Sequence, residues 1–205
     1  MSEPLERRVD DLKRSPAAQR RCDRALDSFI DLVLEGNLPP TPQQIAERAG
    51  ISIATFFRYF ENLNAMRQQA AERMLERFPL FEIPDPGEGS LSDRVDRFVS
   101  LRVALWEKVN LLARLQRTVV LEDPDAASMV NSVRQAMVDQ IREHFAPELR
   151  GMSSSRREGA VAVIATLTSV ESWEQFRETY GRSVRQTRRG WVDAVTAALG
   201  EASVR

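Results

Sequence analysis

Apolar residues in the first 80 positions recur at the three- and four-residue spacing of amphipathic helices. The first apolar face ends before Gly36, a residue that favours a left-handed C-terminal cap. Residues 41–44 (TPQQ) predict a capping box with proline at the first helical position, and the short helix that they open ends at Gly50. Ser52 predicts the cap of a second short helix, and a longer fourth helix follows to about Phe78.

Residues 79–90 (PLFEIPDPGEGS) contain three prolines and two glycines, a composition that excludes a regular helix. This segment is the best domain boundary in the chain. We therefore predict four segments: a loose charged arm (residues 1–14), a helical N-terminal domain (15–78), a tether (79–91) and a larger helical domain (92–205).

The larger domain is predicted to be helical throughout, so the expected fold class is all-α. Its apolar pattern predicts one helix or two in tandem up to about Leu121, and another that begins at Pro124. Residues 155–158 (SRRE) form a second capping box, opening a helix that is apolar nearly all round and ends at Gly181. Residues 183–186 (SVRQ) form a third and open the last helix.

The composition restricts the possible functions. The net charge is −1, so nucleic-acid binding would need a local basic patch. One cysteine excludes an intrachain disulfide, and no signal peptide or membrane span is evident, which favours a soluble cytoplasmic protein. No phosphate-binding glycine loop, nucleophile elbow or metal-ligand spacing occurs, so the sequence predicts no enzyme activity, no cofactor and no metal.

Two side chains that occur once in the chain have structural interpretations. His144 is predicted to lie at a helix end or at the surface, where a cation suits the helix dipole. Cys22 lies on the apolar face of the first helix, which favours a buried small hydrophobe over a redox sensor.

Polar groups late in the chain leave alternatives open. A basic run could be a second nucleic-acid patch or, by our preference, a solvated helix face; it consists of Arg182, Arg185, Arg188 and Arg189. Acidic residues at helical spacing could pair with this run: Glu171, Glu174 and Glu178. Three hydroxyl residues could bond to their own helix backbone or to a ligand: Thr166, Thr168 and Ser169.

Residues 41–66 fit the requirements of two short helices joined by a tight turn. Ala46 is small where such helices would cross, and Gly50 gives the turn a positive φ. This geometry is the helix–turn–helix, whose second helix enters the major groove of DNA. Side chains near base edges would be Ile53, Ala54 and Arg58, and phosphate contacts would come from Thr41, Ser52, Thr55 and Tyr59.

The run IAERAGISIATFFRYFENLNAM over residues 45–66 resembles the N-terminal motif of the tetracycline-repressor (TetR) family of regulators, and the resemblance extends over residues 15–78. That motif has an alanine-rich second helix, a glycine–hydrophobic–serine turn and an aromatic-rich recognition helix. The full set of predicted DNA-contact residues is Thr41, Ser52, Ile53, Ala54, Thr55, Phe57, Arg58, Tyr59 and Asn62.

Two positions depart from the family pattern. The family usually has a tyrosine where Phe57 stands and a lysine where Leu63 stands, and both commonly contact the DNA backbone. Their loss predicts weaker affinity and a smaller salt dependence. Other arginines could compensate: Arg20, Arg21, Arg24, Arg58 and Arg67.

For the larger domain, the resemblance implies a dimer in which the last two long helices pair with those of a second subunit, and a pocket for a small-molecule effector. Candidate pocket residues, for each of which plain core is the preferred interpretation, are Phe98, Leu101, Leu105, Trp106, Met129, Val133, Met137 and Leu167. Candidate interface residues are Val170, Trp173, Phe176, Val184, Trp191 and Val195.

The sequence thus favours a DNA-binding transcriptional regulator: a ligand-responsive repressor that binds a palindromic operator as a homodimer. The alternative is a helical ligand- or protein-binding module that has lost DNA binding, and the departures at Phe57 and Leu63 support it. A helical enzyme has no motif in its favour.

Overall fold

The structure, a computed structural model, describes residues 15–78, 82–120 and 124–200. In these ranges the chain is helical and contains no β-strand, which confirms the all-α fold class. The chain divides into two compact units, Met1–Phe78 and Pro79–Arg205, which we call the head and the body. None of the helices in the described ranges combines the length and the apolarity that a membrane crossing requires.

The described part of the head contains α1 (Pro16–Leu34), α2 (Pro42–Ala49), α3 (Ile53–Tyr59) and α4 (Leu63–Arg77). Helix α1 packs against both α2 and α4, and α2 packs against α3. Apolar side chains fill the space between these helices, and removing them from water is what stabilises the unit. They include Leu26, Phe29, Ile30, Val33, Ile45, Ala46, Phe56, Phe60, Met66 and Ala70.

The predicted caps of the head are confirmed. Thr41 accepts a hydrogen bond from the Gln44 backbone N–H at 3.3 Å, and the Gln44 side chain accepts one from the Thr41 backbone at 2.8 Å. Ser52 Oγ accepts from the Thr55 backbone N–H at 3.1 Å and begins α3 in the same way. Because the first N–H groups of a helix have no partner within it, these side chains fix where α2 and α3 begin.

The described part of the body contains α5 (Leu91–Val120), α6 (Pro124–His144), α7 (Ala146–Arg150), α8 (Ser154–Leu167), α9 (Val170–Glu174) and α10 (Val184–Gly200). A π-helical turn, Gln175–Thr179, continues α9. The long helix α5 is uninterrupted and packs against α6, α9 and α10, while α8 packs against α6 and α10. The capping box at residues 183–186 is confirmed, since Ser183 and Gln186 exchange hydrogen bonds of 2.8 and 3.2 Å.

The prediction of one helix from residue 155 to Gly181 is wrong. Ser153, not Ser155, caps α8, and the helix ends at Leu167. Ser169 leaves the helical conformation and caps α9, with its Oγ accepting from the Ser172 backbone at 3.2 Å. The break is stabilised from outside, because the indole of Trp106 on α5 donates to the backbone carbonyl of Thr168 at 2.8 Å.

Helix α8 has one packed face and one open face in the single chain. Ala160, Val161 and Ile164 are buried, whereas Val163 is 54% exposed. The apolar character all round the helix therefore does not correspond to burial all round within one chain.

Of the two positions predicted for His144, a helix end or the surface, the structure confirms the first. The residue ends α6, as expected of a helix-terminal position, but its side chain is fully buried beside Phe98 and Phe145. Nε2 lies 2.9 Å from the backbone carbonyl of Arg94, and a carbonyl can only accept, so Nε2 carries the proton. Burial, with the nearby guanidinium of Arg97, lowers the pKa of His144.

Cys22 is half-buried rather than fully buried, and its Sγ lies 3.9 Å from Oε1 of Gln69 on α4. The residue therefore belongs to the margin of the contact between α1 and α4, not to the centre of the head's core.

Candidate nucleic-acid interface and body cavity

The turn between α2 and α3 depends on one glycine. Gly50 has φ +66° and ψ +39°, a left-handed conformation that side chains with a Cβ adopt at a cost. A Cβ there would meet nothing within 4 Å, so the backbone angle rather than space requires glycine. The N–H of Ile51 reaches back to the Ala46 carbonyl at 3.0 Å and closes the end of α2. This left-handed residue redirects the chain between α2 and α3.

Helix α3 is held by one edge and open on the other. Phe56 is its one fully buried side chain, and Phe60, directly after the helix, is also fully buried. The two rings contact each other, with centroids 5.2 Å apart. On the other edge, Ile53 is 37% exposed and Phe57 is 53% exposed. These two side chains give the open edge of α3 an apolar character.

The structure brings four of the predicted DNA-contact residues onto this open edge of α3, namely Ile53, Ala54, Phe57 and Arg58. Three more are N-terminal helix caps, and their side-chain oxygens already accept hydrogen bonds from the backbone: Thr41, Ser52 and Asn62. Thr55 and Tyr59 are half-buried. Thr55 Oγ1 lies 2.9 Å from Ser52 Oγ, and the guanidinium of Arg58 lies over the Tyr59 ring at 5.6 Å.

Four acidic residues lie along α1 and at its C-terminal cap, and arginines of other helices pair with three of them. They recur every four residues and therefore share one face of the helix: Asp23, Asp27, Asp31 and Glu35. Arg73 of α4 makes two hydrogen bonds of 3.1 Å to the Asp27 carboxylate, and Arg77 bonds Asp31 at 2.6 Å. Arg48 of α2 pairs with Glu35, and this hydrogen bond lowers the pKa of the Glu35 carboxyl.

The contacts between α1 and α4 also fix the direction of the two helices. Cys22 lies against Gln69 near the beginning of both, and Asp31 pairs with Arg77 near the end of both. The helices therefore run in the same direction, and the N-terminal half of α1 lies at the end of the head where α3 meets α4.

That half of α1 carries a group of arginines without carboxylate partners. Arg20, Arg21 and Arg24 are exposed and form no ion pair with any described residue. The same holds for Arg58 on α3, which contacts only the Tyr59 ring. Arginines of α2 and α4 thus pair with Asp27, Asp31 and Glu35, while these four cations have no carboxylate partner in the described part of the chain. The four-residue acidic spacing was readable in the sequence, but its partners on other helices were not.

The body contains a cavity of about 390 Å³, partly open to solvent, between α5, α6, α8 and α9. Its apolar lining consists of Trp106, Met137, Val138, Ile141, Ala165 and Val170. Its polar lining consists of Arg102, Arg134, Thr166, Thr168, Ser169 and Glu171. The volume lies within the range of pockets that hold small organic ligands.

Of the predicted pocket residues, Trp106 and Met137 line this cavity. Phe98 and Leu105 are fully buried in the core of the body. The others are half-buried and outside the lining, namely Leu101, Met129, Val133 and Leu167. Sequence reasoning missed Arg102, although it lies four residues from both Phe98 and Trp106 and hence on the apolar face of α5.

Most of the predicted interface residues pack inside the chain itself. Val170, Trp173, Trp191 and Val195 are buried, and Trp173 contacts Trp191 with ring centroids 6.1 Å apart. These side chains have little surface to offer a partner. Phe176 and Val184 are half-buried.

The charged residues late in the chain do not pair with one another as the sequence suggested. Helix α5 provides the partners instead: Arg117 bonds Glu174 and Arg114 bonds Glu178, both at 2.6 Å. In the basic run, Arg188 pairs with Asp96 and the other three arginines are exposed. Of the hydroxyl residues, Thr168 Oγ1 donates to its own helix at Ile164.

Comparison with known proteins assigns no relative: no protein-family model matches the chain, and no curated protein is similar to it in sequence.

Proposed function

We propose that the chain is a DNA-binding transcriptional regulator, a ligand-responsive repressor that binds a palindromic operator as a homodimer. The observation that carries the proposal is α3: a short helix set off by the Gly50 turn, anchored by Phe56, with an open edge that includes Arg58. A helix presented in this way by a second, supporting helix fits the helix–turn–helix mode of major-groove recognition.

The open edge of α3 has the chemistry that base reading needs. Ile53 and Phe57 present apolar surface suited to thymine methyl groups, and the guanidinium of Arg58 can donate two hydrogen bonds to a guanine. Ala54 lies between them and lets the helix approach the base edges closely. Because Phe57 lacks the hydroxyl of a tyrosine, it would make an apolar contact with DNA rather than a hydrogen bond to a phosphate.

The unpaired arginines of α1 suit the DNA backbone. Arg20, Arg21 and Arg24 lie at the end of the head where α3 meets α4. Cations near phosphates release counterions, so each one engaged makes binding more sensitive to salt. They supply the backbone contacts that Phe57 and Leu63 do not, and we expect moderate rather than tight affinity.

Two features of the body support the ligand response and the dimer. The cavity has the size of a small-molecule site. The open face of α8, with Val163 exposed, is an apolar surface of the kind that a second subunit covers. A dimer would present two copies of α3 to successive major grooves of a palindrome. An effector would release the DNA only if it binds more tightly to a dimer whose two heads have a different separation.

Fluorescence anisotropy with DNA from the gene's own upstream region, titrated with salt, tests the proposal. Arg58→Ala should lower affinity for the preferred sequence by about 1–3 kcal/mol, because one base contact is lost. Arg150→Ala, an exposed arginine of the body, is the matched control and should leave affinity unchanged. Salt-insensitive, weak binding to this DNA and to a random-sequence library would favour the alternative, a helical binding module without DNA function.

A further inference from the structure

Arg102 is a buried cation without a carboxylate partner among the residues that the structure describes. Its side chain projects from α5 into the wall of the body cavity, and the residue is 3% exposed. Nη2 donates to the Met137 backbone carbonyl at 3.2 Å and to Oε1 of Gln140 at 3.0 Å. Both acceptors are neutral. Burial lowers the pKa of Arg102 to about 10, which still leaves the guanidinium charged at neutral pH.

The one carboxylate in the cavity lining is already neutralised by other arginines. Glu171 bonds Arg134 at 2.7 Å and lies 4.0 Å from Arg117. The cavity wall therefore contains two guanidinium groups and a single carboxylate, which leaves one positive charge on Arg102 uncompensated. The guanidinium lies 5.1 Å from the Phe98 ring, and this contact offsets only part of the loss of hydration.

A buried charge of this kind is hard to explain by packing alone. Moving an ion out of water without a counter-ion is strongly unfavourable, and an apolar residue of similar length would fill the same space more favourably. The two hydrogen bonds that Arg102 makes to described residues both come from Nη2, although a guanidinium has five donors. The remaining donors match a planar anion, which arginine binds through two parallel hydrogen bonds.

We propose that the body cavity binds an organic carboxylate, a monoanion on an apolar body, with the carboxylate on Arg102. This inference rests on the proposed function only in naming the class of its effector. Trp106, Met137 and Ile141 provide the apolar surface for the rest of the ligand. A neutral ligand would leave the charge of Arg102 unpaired. A phosphate dianion has two negative charges against the single uncompensated positive charge of Arg102, and Glu171 would repel it.

Isothermal titration calorimetry of the full chain tests the ligand class with matched pairs of probes. Sodium octanoate, sodium decanoate and sodium 2-naphthoate would each be compared with the corresponding primary amide, which has the same apolar body and no charge. At least one acid should bind with a dissociation constant in the micromolar range or below, and its amide at least about tenfold more weakly, because the charge-assisted hydrogen bonds are lost.

The second arm of the experiment changes the arginine. Arg102→Met keeps the length of the side chain and removes its charge; it should weaken binding of the acid at least about tenfold and abolish the preference over the amide. Arg142→Met is the matched control, since this arginine lies on α6 outside the cavity lining and is paired with Glu158 at 2.8 Å. Its acid affinity should equal that of the wild type.

Circular dichroism would first show that Arg102→Met is folded. If it is not, Arg102→Lys provides the test, because lysine keeps the charge but cannot form two parallel hydrogen bonds, so affinity for the acid should fall while the preference over the amide persists. Amides that bind as tightly as acids, acids that bind to neither wild type nor variant, or a folded Arg102→Met that binds acids normally would each overturn the inference.

Failure of this inference and failure of the regulator proposal give different results, because the calorimetry contains no DNA. Acid-selective binding without any salt-sensitive DNA binding would preserve the ligand class and reject the regulator. DNA binding that depends on Arg58, with no acid bound, would do the reverse.

Discussion

Arginines without a carboxylate partner among the described residues occur in both units, but one of those in the body, Arg102, is buried, whereas Arg20, Arg21, Arg24 and Arg58 of the head are exposed. In the head, arginines of α2 and α4 neutralise the acidic face of α1, while Arg58 and those at the beginning of α1 stay exposed and unpaired. In the body, the half-buried Arg114 and Arg117 of α5 are paired with the turn after α9 and with α9 itself, and Arg102, which has no carboxylate partner among the described residues, is buried. Exposed, unpaired cations suit an extended polyanion, whereas one enclosed cation suits a single small anion. The net charge of −1 does not show where these charges lie.

The largest expected effect concerns the two edges of α3. Phe56→Ala removes a fully buried ring from the head and should lower its free energy of unfolding by about 3–5 kcal/mol, through lost burial and a residual cavity. Phe57→Ala, one residue later but 53% exposed, should change it by less than about 0.5 kcal/mol and act only on DNA affinity.

Hydrogen exchange measured by mass spectrometry separates the units, because peptides from the head and the body report their own opening free energies. Faster exchange confined to the head in Phe56→Ala is the expected pattern. Equal effects of the two alanine variants would contradict the description of α3 as anchored on one edge only.

The second prediction compares one glycine from each unit. Gly50→Ala should destabilise the head by about 1–2 kcal/mol, because alanine must adopt a positive φ in the turn. Gly159→Ala lies inside α8 where a Cβ meets nothing within 4 Å, and it should stabilise the body by about 0.5–1 kcal/mol through helix propensity. Urea unfolding followed by circular dichroism measures both. A neutral Gly50→Ala would mean that the turn tolerates another backbone conformation.

The elements that the sequence predicted correctly are those set by local chemistry. The caps at Thr41 and Ser52 and the left-handed Gly50 depend on neighbours within four residues, and all three were readable. The features that were missed depend on distant partners. The break after Leu167 involves the Trp106 indole, and the burial of Arg102 depends on α6. Helical periodicity shows which face of a helix is apolar, but it does not show which other helix covers that face.

The candidate site divides in the same way. The open edge of α3 followed from its own caps and spacing, so residues such as Ile53 and Arg58 could be placed in advance. The cavity lies between four helices, and only Trp106 and Met137 of the predicted set line it. Trp191 was predicted at a subunit interface, but it is fully buried within the single chain. Helical spacing alone does not distinguish a tryptophan that packs within one chain from one that packs between two.

The third and smallest expected effect is a dependence on pH that is confined to the body, which contains the chain's one histidine. Burial lowers the pKa of His144 below its ordinary value of 6.5, so the unfolded chain takes up a proton at a higher pH than the folded chain does. The contribution of the neutral ring to stability is therefore fully present above pH 6.5. As the pH falls below 6.5 the unfolded state holds more protons, and the free energy of unfolding decreases until the folded pKa is reached.

Urea unfolding at pH 7.5, 6.5 and 5.5 checks this sign. The body should lose stability between pH 6.5 and 5.5, and His144→Gln should remove that loss, since glutamine can still donate to the Arg94 carbonyl but does not titrate. Glu143→Gln, an exposed neighbour, is the control and should keep the loss. If the head also loses stability between pH 6.5 and 5.5, or if His144→Gln still loses stability over that interval, groups other than the buried histidine cause the acid sensitivity of the body.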